Sequence, residues 1–151
     1  MDVDDRVGLT PAVLGFLRTN LERALRELRC TGEVRIAIVG DGAMAREHVR
    51  SMGIEGTTDV ITFDLTDGAS ACDRGLDVDL LLCADEARRC ASERGIALER
   101  ELLLYALHGV LHCLGYDDRD EGASRAMHAR EDEVLVAIGV GPVFDADGEG
   151  A

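Results

Sequence analysis

The chain has 151 residues, 46% of them hydrophobic and 30% charged, and a formal net charge of −14. That size and balance predict a single globular domain able to bury its own core. The acidity excludes a protein that holds nucleic acid through a broad basic surface, because phosphate neutralisation dominates such affinity, so any RNA contact has to be local or metal-assisted.

The acidic opening Met1-Asp2-Val3-Asp4-Asp5-Arg6 lacks the charged and apolar regions of a secretory leader. Thr10-Pro11 is a helix start, with threonine as cap and proline in the first turn, and Val13, Leu14, Leu17, Leu21, Leu25 and Leu28 follow at helical spacing. Glu33 to Val39 alternates polar and β-branched residues and predicts a strand, ended by Gly40-Asp41-Gly42; a short helix capped by Asp41 follows over Ala43 to Arg50. Thr57 to Phe63 predicts a second strand, Asp64 to Arg74 a loop, and Leu76 to Cys83 a third strand.

A helix opening at Ala84 ends at Gly95, and Leu98 to Leu114 predicts the most apolar helix of the chain, central and buried. It is too short to span a bilayer and is interrupted by two histidines, so a cytoplasmic protein without membrane contact is expected. An amphipathic helix over Ala123 to Ile138 completes the series, and a loose tail is expected from Gly141. The expected fold is α/β of the α+β type: one small mixed sheet of three to four strands packed with about five helices. Residues 1–140 are expected to form the domain and 141–151 a flexible tail. The five cysteines, Cys30, Cys72, Cys83, Cys90 and Cys113, lack C-x-x-C spacing and read as reduced, structural thiols.

The chemistry concentrates in His108-Gly-Val-Leu-His112 and the following Gly115-Tyr116-Asp117-Asp118. Histidines four apart on a helix project from one face and can share a cation. A left-handed turn at Gly115 folds the chain back and brings Asp117 or Asp118 to the same ion, leaving one position open. Two imidazoles and a carboxylate suit Zn2+, with nickel, manganese and iron(II) as alternatives. Gly109 stands where a thermolysin-like peptidase carries the glutamate of H-E-x-x-H, so conventional peptidase chemistry is disfavoured. Cys113 points about 100° away from His112 and is read as an apolar filler. Glu101, two turns before His108, is a candidate to orient a ligand histidine or polarise a site water, beside its plainer reading as a helix-surface carboxylate. His128 is read as a surface histidine rather than a fourth ligand.

The run HGVLHCLGYDD at 108–118 resembles the H-G-x-L-H-x-x-G-Y-D-H pattern of the YbeY-type endoribonucleases, also called rRNA maturation factors, in every position but the last. Thr58-Asp59-Val60-Ile61-Thr62-Phe63 resembles the family's T-D-V-L-S-F strand, Asp79-Leu80-Leu81 its G-D-I strand, Glu101 its glutamate before the histidine helix, and Met127 with Glu131 its M-x-x-x-E helix; the resemblance covers about residues 33–138.

It implies a metal-dependent, single-strand-specific endoribonuclease acting in 16S rRNA 3′-end maturation and ribosome quality control. Its metal ligands would be His108, His112 and Asp118, with Gly115, Tyr116 and Asp117 bracing the ligand turn and Asp59 near the site, either bonding to it or capping local structure. Single-stranded RNA or rRNA, and ribosomal proteins or a ribosome-assembly GTPase, are the implied partners. The sequence departs from the family twice: the third ligand is usually histidine where Asp118 stands, and an arginine that often precedes the T-D-V strand is replaced by Met52. A metal-stabilised assembly factor without nuclease activity and a zinc hydrolase of another ester or amide are the competing readings.

Overall fold

The computed structural model describes residues 1–66 and 75–144. Its elements in chain order are β1 (Asp2–Asp5), α1 (Pro11–Glu27), β2 (Gly32–Val39), α2 (Asp41–Met52), β3 (Val60–Asp64), β4 (Leu76–Cys83), α3 (Ala84–Arg94), α4 (Leu98–Cys113) and α5 (Glu121–Ala137). The four strands form one mixed sheet in the order β1-β2-β4-β3, with β1, β2 and β4 parallel and β3 antiparallel to β4. The α/β architecture, the mixed sheet and, among the described residues, five helices agree with the sequence expectation.

Each parallel pairing needs a crossover, which α1 supplies between β1 and β2, and α2 with β3 between β2 and β4. The β1 strand was not expected. Its Asp-Val-Asp-Asp carries little β propensity, and it is a strand because it pairs in register with β2, Asp2 opposite Arg35 and Asp5 opposite Ile38. Thr10 caps α1 as expected, its hydroxyl accepting from the Val13 amide.

Asp41 does not cap α2; Gly40 takes that position and Asp41 opens the helix, its amide donating to Asp85 Oδ2 at 2.8 Å. Its own carboxylate instead accepts from Arg89 and Cys83, and the Arg89 guanidinium holds its pKa down at about 2. α5 starts two residues before its expected position, because the Asp120 carboxylate accepts from the Ala123 amide and serves as its cap. The expected loop over 64–74 begins with the last β3 residue, and its part from 67 onward, Cys72 included, lies outside the described residues.

One face of the sheet carries the main core. Val34, Ile36, Ile38, Val78, Leu80 and Leu82 meet Leu17 and Leu21 of α1 and Leu103, Leu107 and Leu111 of α4. The other face holds a smaller cluster of Val39, Met44, Ile61 and Cys83 beneath α2. α4 is central because ten of its residues are buried, so burial rather than a capping side chain sustains it.

The packing continues past the expected boundary at 140. Val143 is 3% exposed, and the Val143 and Phe144 amides both donate to Asp132 Oδ1, so Gly141 to Phe144 is tied to α5 rather than loose. The remainder of the expected tail lies outside the described residues. Among the described residues, no helix is long and apolar enough to cross a membrane.

Candidate metal centre

The C-terminal half of α4, the turn after it, the end of α2 and β3 with the residue before it enclose a cleft of about 430 Å³ whose lining includes His108, His112, Asp118, Asp59, Met52 and Phe63. α4 approaches the sheet closely here: a Cβ at Gly109 would lie 2.6 Å from Leu80 Cδ2 and 2.8 Å from Thr62 Oγ1. Glycine between the two histidines therefore sets how deep the helix sits. After α4 the chain reverses at Gly115, whose φ of +101° is costly for any side-chain-bearing residue. The Gly115 amide bonds to His112 O and the Tyr116 amide to Leu111 O, closing the turn that returns Asp118 to the helix end. Tyr116 packs against the core, while Asp117 Oδ1 accepts from the Arg119 amide.

Three donors converge in this cleft. His108 Nε2 and His112 Nε2 are 3.1 Å apart, His108 Nε2 lies 3.6 Å from Asp118 Oδ2, and His112 Nε2 lies 3.9 Å from Asp118 Oδ1. Tetrahedral zinc with bonds of about 2.0–2.1 Å separates its ligand atoms by about 3.3 Å, so these spacings suit one ion. His108, His112 and Asp118 are the group that could hold a metal among the described residues. The end of α4 adds the negative pole of the helix dipole, which favours a cation.

His108 also reaches out of the triad. Its Nδ1 is 2.8 Å from Glu131 Oε2, and Glu131, 1% exposed, receives His128 Nδ1 on Oε1 at 2.8 Å. Burial alone would lower the His108 pKa; the hydrogen bond and charge of Glu131, with the charges of Asp59 and Asp118, outweigh it and raise the pKa above the ordinary value.

Asp59 lies in the cleft wall without joining the triad. Its Oδ1 accepts from the Val60 amide at 2.7 Å and lies 3.3 Å from the Thr58 hydroxyl. Cys113 stays outside the triad as expected, and burial, with Asp64 nearby, pushes its thiol up to about 12, so it remains protonated. His128 faces Glu131 and stacks on Phe144, with ring centroids 3.8 Å apart.

Glu101 is not brought to the triad. It is 0% exposed and pairs with Arg94 of α3 at 3.2 Å, and neither carboxylate oxygen completes a well-aligned hydrogen bond. Burial raises its pKa, opposed by the Arg94 charge and the Tyr105 hydroxyl. The carboxylate in contact with His108 is Glu131, the glutamate of the M-x-x-x-E pattern, to which the sequence assigns no role at the site. The spacing His128-x-x-Glu131, which sets an acceptor beside a second imidazole on one helix face, was the available signal.

A model of the family described as Endoribonuclease YbeY matches residues 9–139. An Endoribonuclease YbeY of Frankia alni is 39% identical over 113 residues, 70% of this chain and 62% of that protein. One from Corynebacterium efficiens is 38% identical over 111 residues, 68% of this chain and 56% of its own, and one from Staphylococcus aureus is 42% identical over 89 residues, 55% and 57%. The matched parts thus span less than two thirds of these relatives. The solution structure of TM1509 from Thermotoga maritima superposes with a TM-score of 0.60, covering 100% of both chains at 22% identity, a likeness of fold.

Proposed function

Since this chain belongs to the Endoribonuclease YbeY family, we propose that it is a metal-dependent endoribonuclease cutting single-stranded RNA. In this reading rRNA is the substrate, in maturation of the 16S 3′ end and in ribosome quality control. His108, His112 and Asp118 hold one divalent ion, zinc by donor type. The observation that carries the reading is the convergence of the two Nε2 atoms at 3.1 Å, with a carboxylate closing the third side. Two imidazole lone pairs at that distance repel unless a proton or a cation lies between them.

The ion, when bound, supplies a Lewis acid for a phosphodiester and its attacking water. The chain's own residues hold and surround it. Gly115 and Tyr116 fix the turn that presents Asp118, and Asp59 adds negative charge to the wall. Among the described residues lining the cleft, none is arginine or lysine. Arg50 is paired with Glu47 and lines a separate hollow on the other sheet face. Among these described lining residues a phosphate would find no cationic side chain, so the ion would supply the positive partner there. Met52, 57% exposed, and Phe63 offer apolar surface to an unstacked base, which favours a single strand over a duplex.

The net charge of −14 supports a second reading, a metal-stabilised assembly factor docking basic ribosomal proteins or an assembly GTPase through its acidic surface. One experiment separates the two: metal analysis of the purified protein, then incubation with single-stranded and duplex RNA, comparing wild type with His112→Ala and Asp118→Ala. The nuclease reading expects single strands to be cut, duplex to be spared, and both cleavage and stoichiometric zinc to be lost in His112→Ala. Cleavage unchanged by both substitutions would end it. Bound zinc without cleavage, together with retention on a basic ribosomal protein, would favour the second reading.

A further inference from the structure

Glu131 lies outside the triad, on a different helix, and both of its oxygens are held. Each of its oxygens lies 2.8 Å from an imidazole Nδ1, that of His108 on one side and that of His128 on the other. Glu131 is 1% exposed, and buried carboxylate oxygens need donors, which among the described residues these two rings supply. An ionised carboxylate only accepts. With Glu131 accepting, a neutral His108 carries its proton on Nδ1, which leaves the lone pair on Nε2, the nitrogen facing His112 and Asp118.

The second donor is itself supported. His128 stacks on Phe144 with the rings 28° from parallel, and Arg94 Cζ lies 5.1 Å from the Phe144 ring centre. Phe144 is fixed by its amide, which donates to Asp132 Oδ1 at 3.1 Å.

We propose that Glu131 is a positioning residue of the metal centre: its Oε2 fixes the His108 tautomer that aims Nε2 at the ion, while His128, braced by Phe144, holds its other oxygen. The proposal rests on the metal-binding reading of the triad. Carboxylates that orient a ligand histidine in this way typically change metal affinity by about 10–100-fold when lost. A purely structural Glu131, tying α5 to α4, would change stability and leave both tautomer and affinity alone.

The test is zinc affinity by chelator competition, with the His108 tautomer read from ¹⁵N shifts in histidine-labelled full-length protein, for wild type, Glu131→Gln, His128→Leu and His108→Ala. Glu131→Gln is expected to weaken zinc by about 10–100-fold and to move His108 from pure Nδ1–H to a mixture of tautomers. His128→Leu, with one donor to Glu131 removed, is expected to give a smaller loss in the same direction. Should Glu131→Gln fail to fold, His128→Leu carries the test, and wild-type zinc affinity in that variant overturns the proposal. Wild-type affinity and an unchanged Nδ1–H signal in a folded Glu131→Gln overturn it while leaving the metal-binding reading intact. A wild type that binds zinc no better than His108→Ala overturns both.

Discussion

Two of the buried carboxylates, Glu101 on α4 and Glu131 on α5, behave differently. Glu101, near the helix start, faces Arg94 at 3.2 Å and completes no well-aligned hydrogen bond; Glu131, on α5, sits between two imidazoles at 2.8 Å. Glu101 shares a helical face with His108, but two turns along the axis separate them by about 10 Å, beyond any hydrogen bond. Glu131 is 23 residues from His108 and touches it. Shared helical phase gives direction without reach, so an orienting partner of a ligand histidine is better sought on a neighbouring helix than further along the same one.

The largest expected effect separates the pair directly. Glu131→Ala should weaken zinc about 10–100-fold and cost about 1–3 kcal/mol of stability through the imidazole donors left unpaired. Glu101→Ala should leave zinc affinity at the wild-type value; chelator competition and urea unfolding read both, and equal zinc losses would erase the contrast. Gly109→Ala should cost about 1–3 kcal/mol, since the new methyl group must displace Leu80 and Thr62. Its melting temperature should fall whether or not metal is present, whereas the Glu131 effect on affinity needs the ion. Asp120→Ala removes the cap of the helix bearing Glu131 and should cost about 1 kcal/mol, seen as a lower denaturation midpoint.

The smallest effect concerns Glu101 and pH. Burial raises its folded-state pKa above the ordinary value, so the folded protein holds that proton more tightly than the unfolded chain. Its contribution to stability is fully present below the unfolded value, about pH 4.3, and is lost as pH rises through the folded value. Glu101→Gln should match wild type near pH 4 and gain on it as pH rises through that window. Parallel stability curves for the two proteins would show that Glu101 does not titrate in this way.

The contrast also explains what the sequence could disclose. α1 and α4 were legible because their apolar spacing and, for α1, the Thr10-Pro11 start are local signals. The two histidines and the glycine turn lie within residues 108–118, so their convergence follows from helix geometry and one left-handed residue. β1 was illegible because Asp2 to Asp5 becomes a strand only by lying beside β2. Asp41 looked like a cap, but tertiary partners on α3 and β4 claim its side chain. Glu131 was missed for the same reason as β1, since its role depends on how α5 is set against α4. Phe144 fell in a stretch whose composition suggested looseness, yet the buried Asp132 carboxylate fastens it.

The seat of Gly109 against Leu80 and Thr62 bears on what this centre can become. Many zinc enzymes differ by the base that flanks the first ligand, and on a roomier helix one substitution would install it. Here a Cβ at 109 meets the Leu80 and Thr62 side chains, which have to give way before any base can stand there. A base at 109 therefore comes with a repacking of Leu80 and Thr62 or a shift of α4, and a chain under selection for a new hydrolysis would have to make that adjustment or recruit its base from the β3 wall.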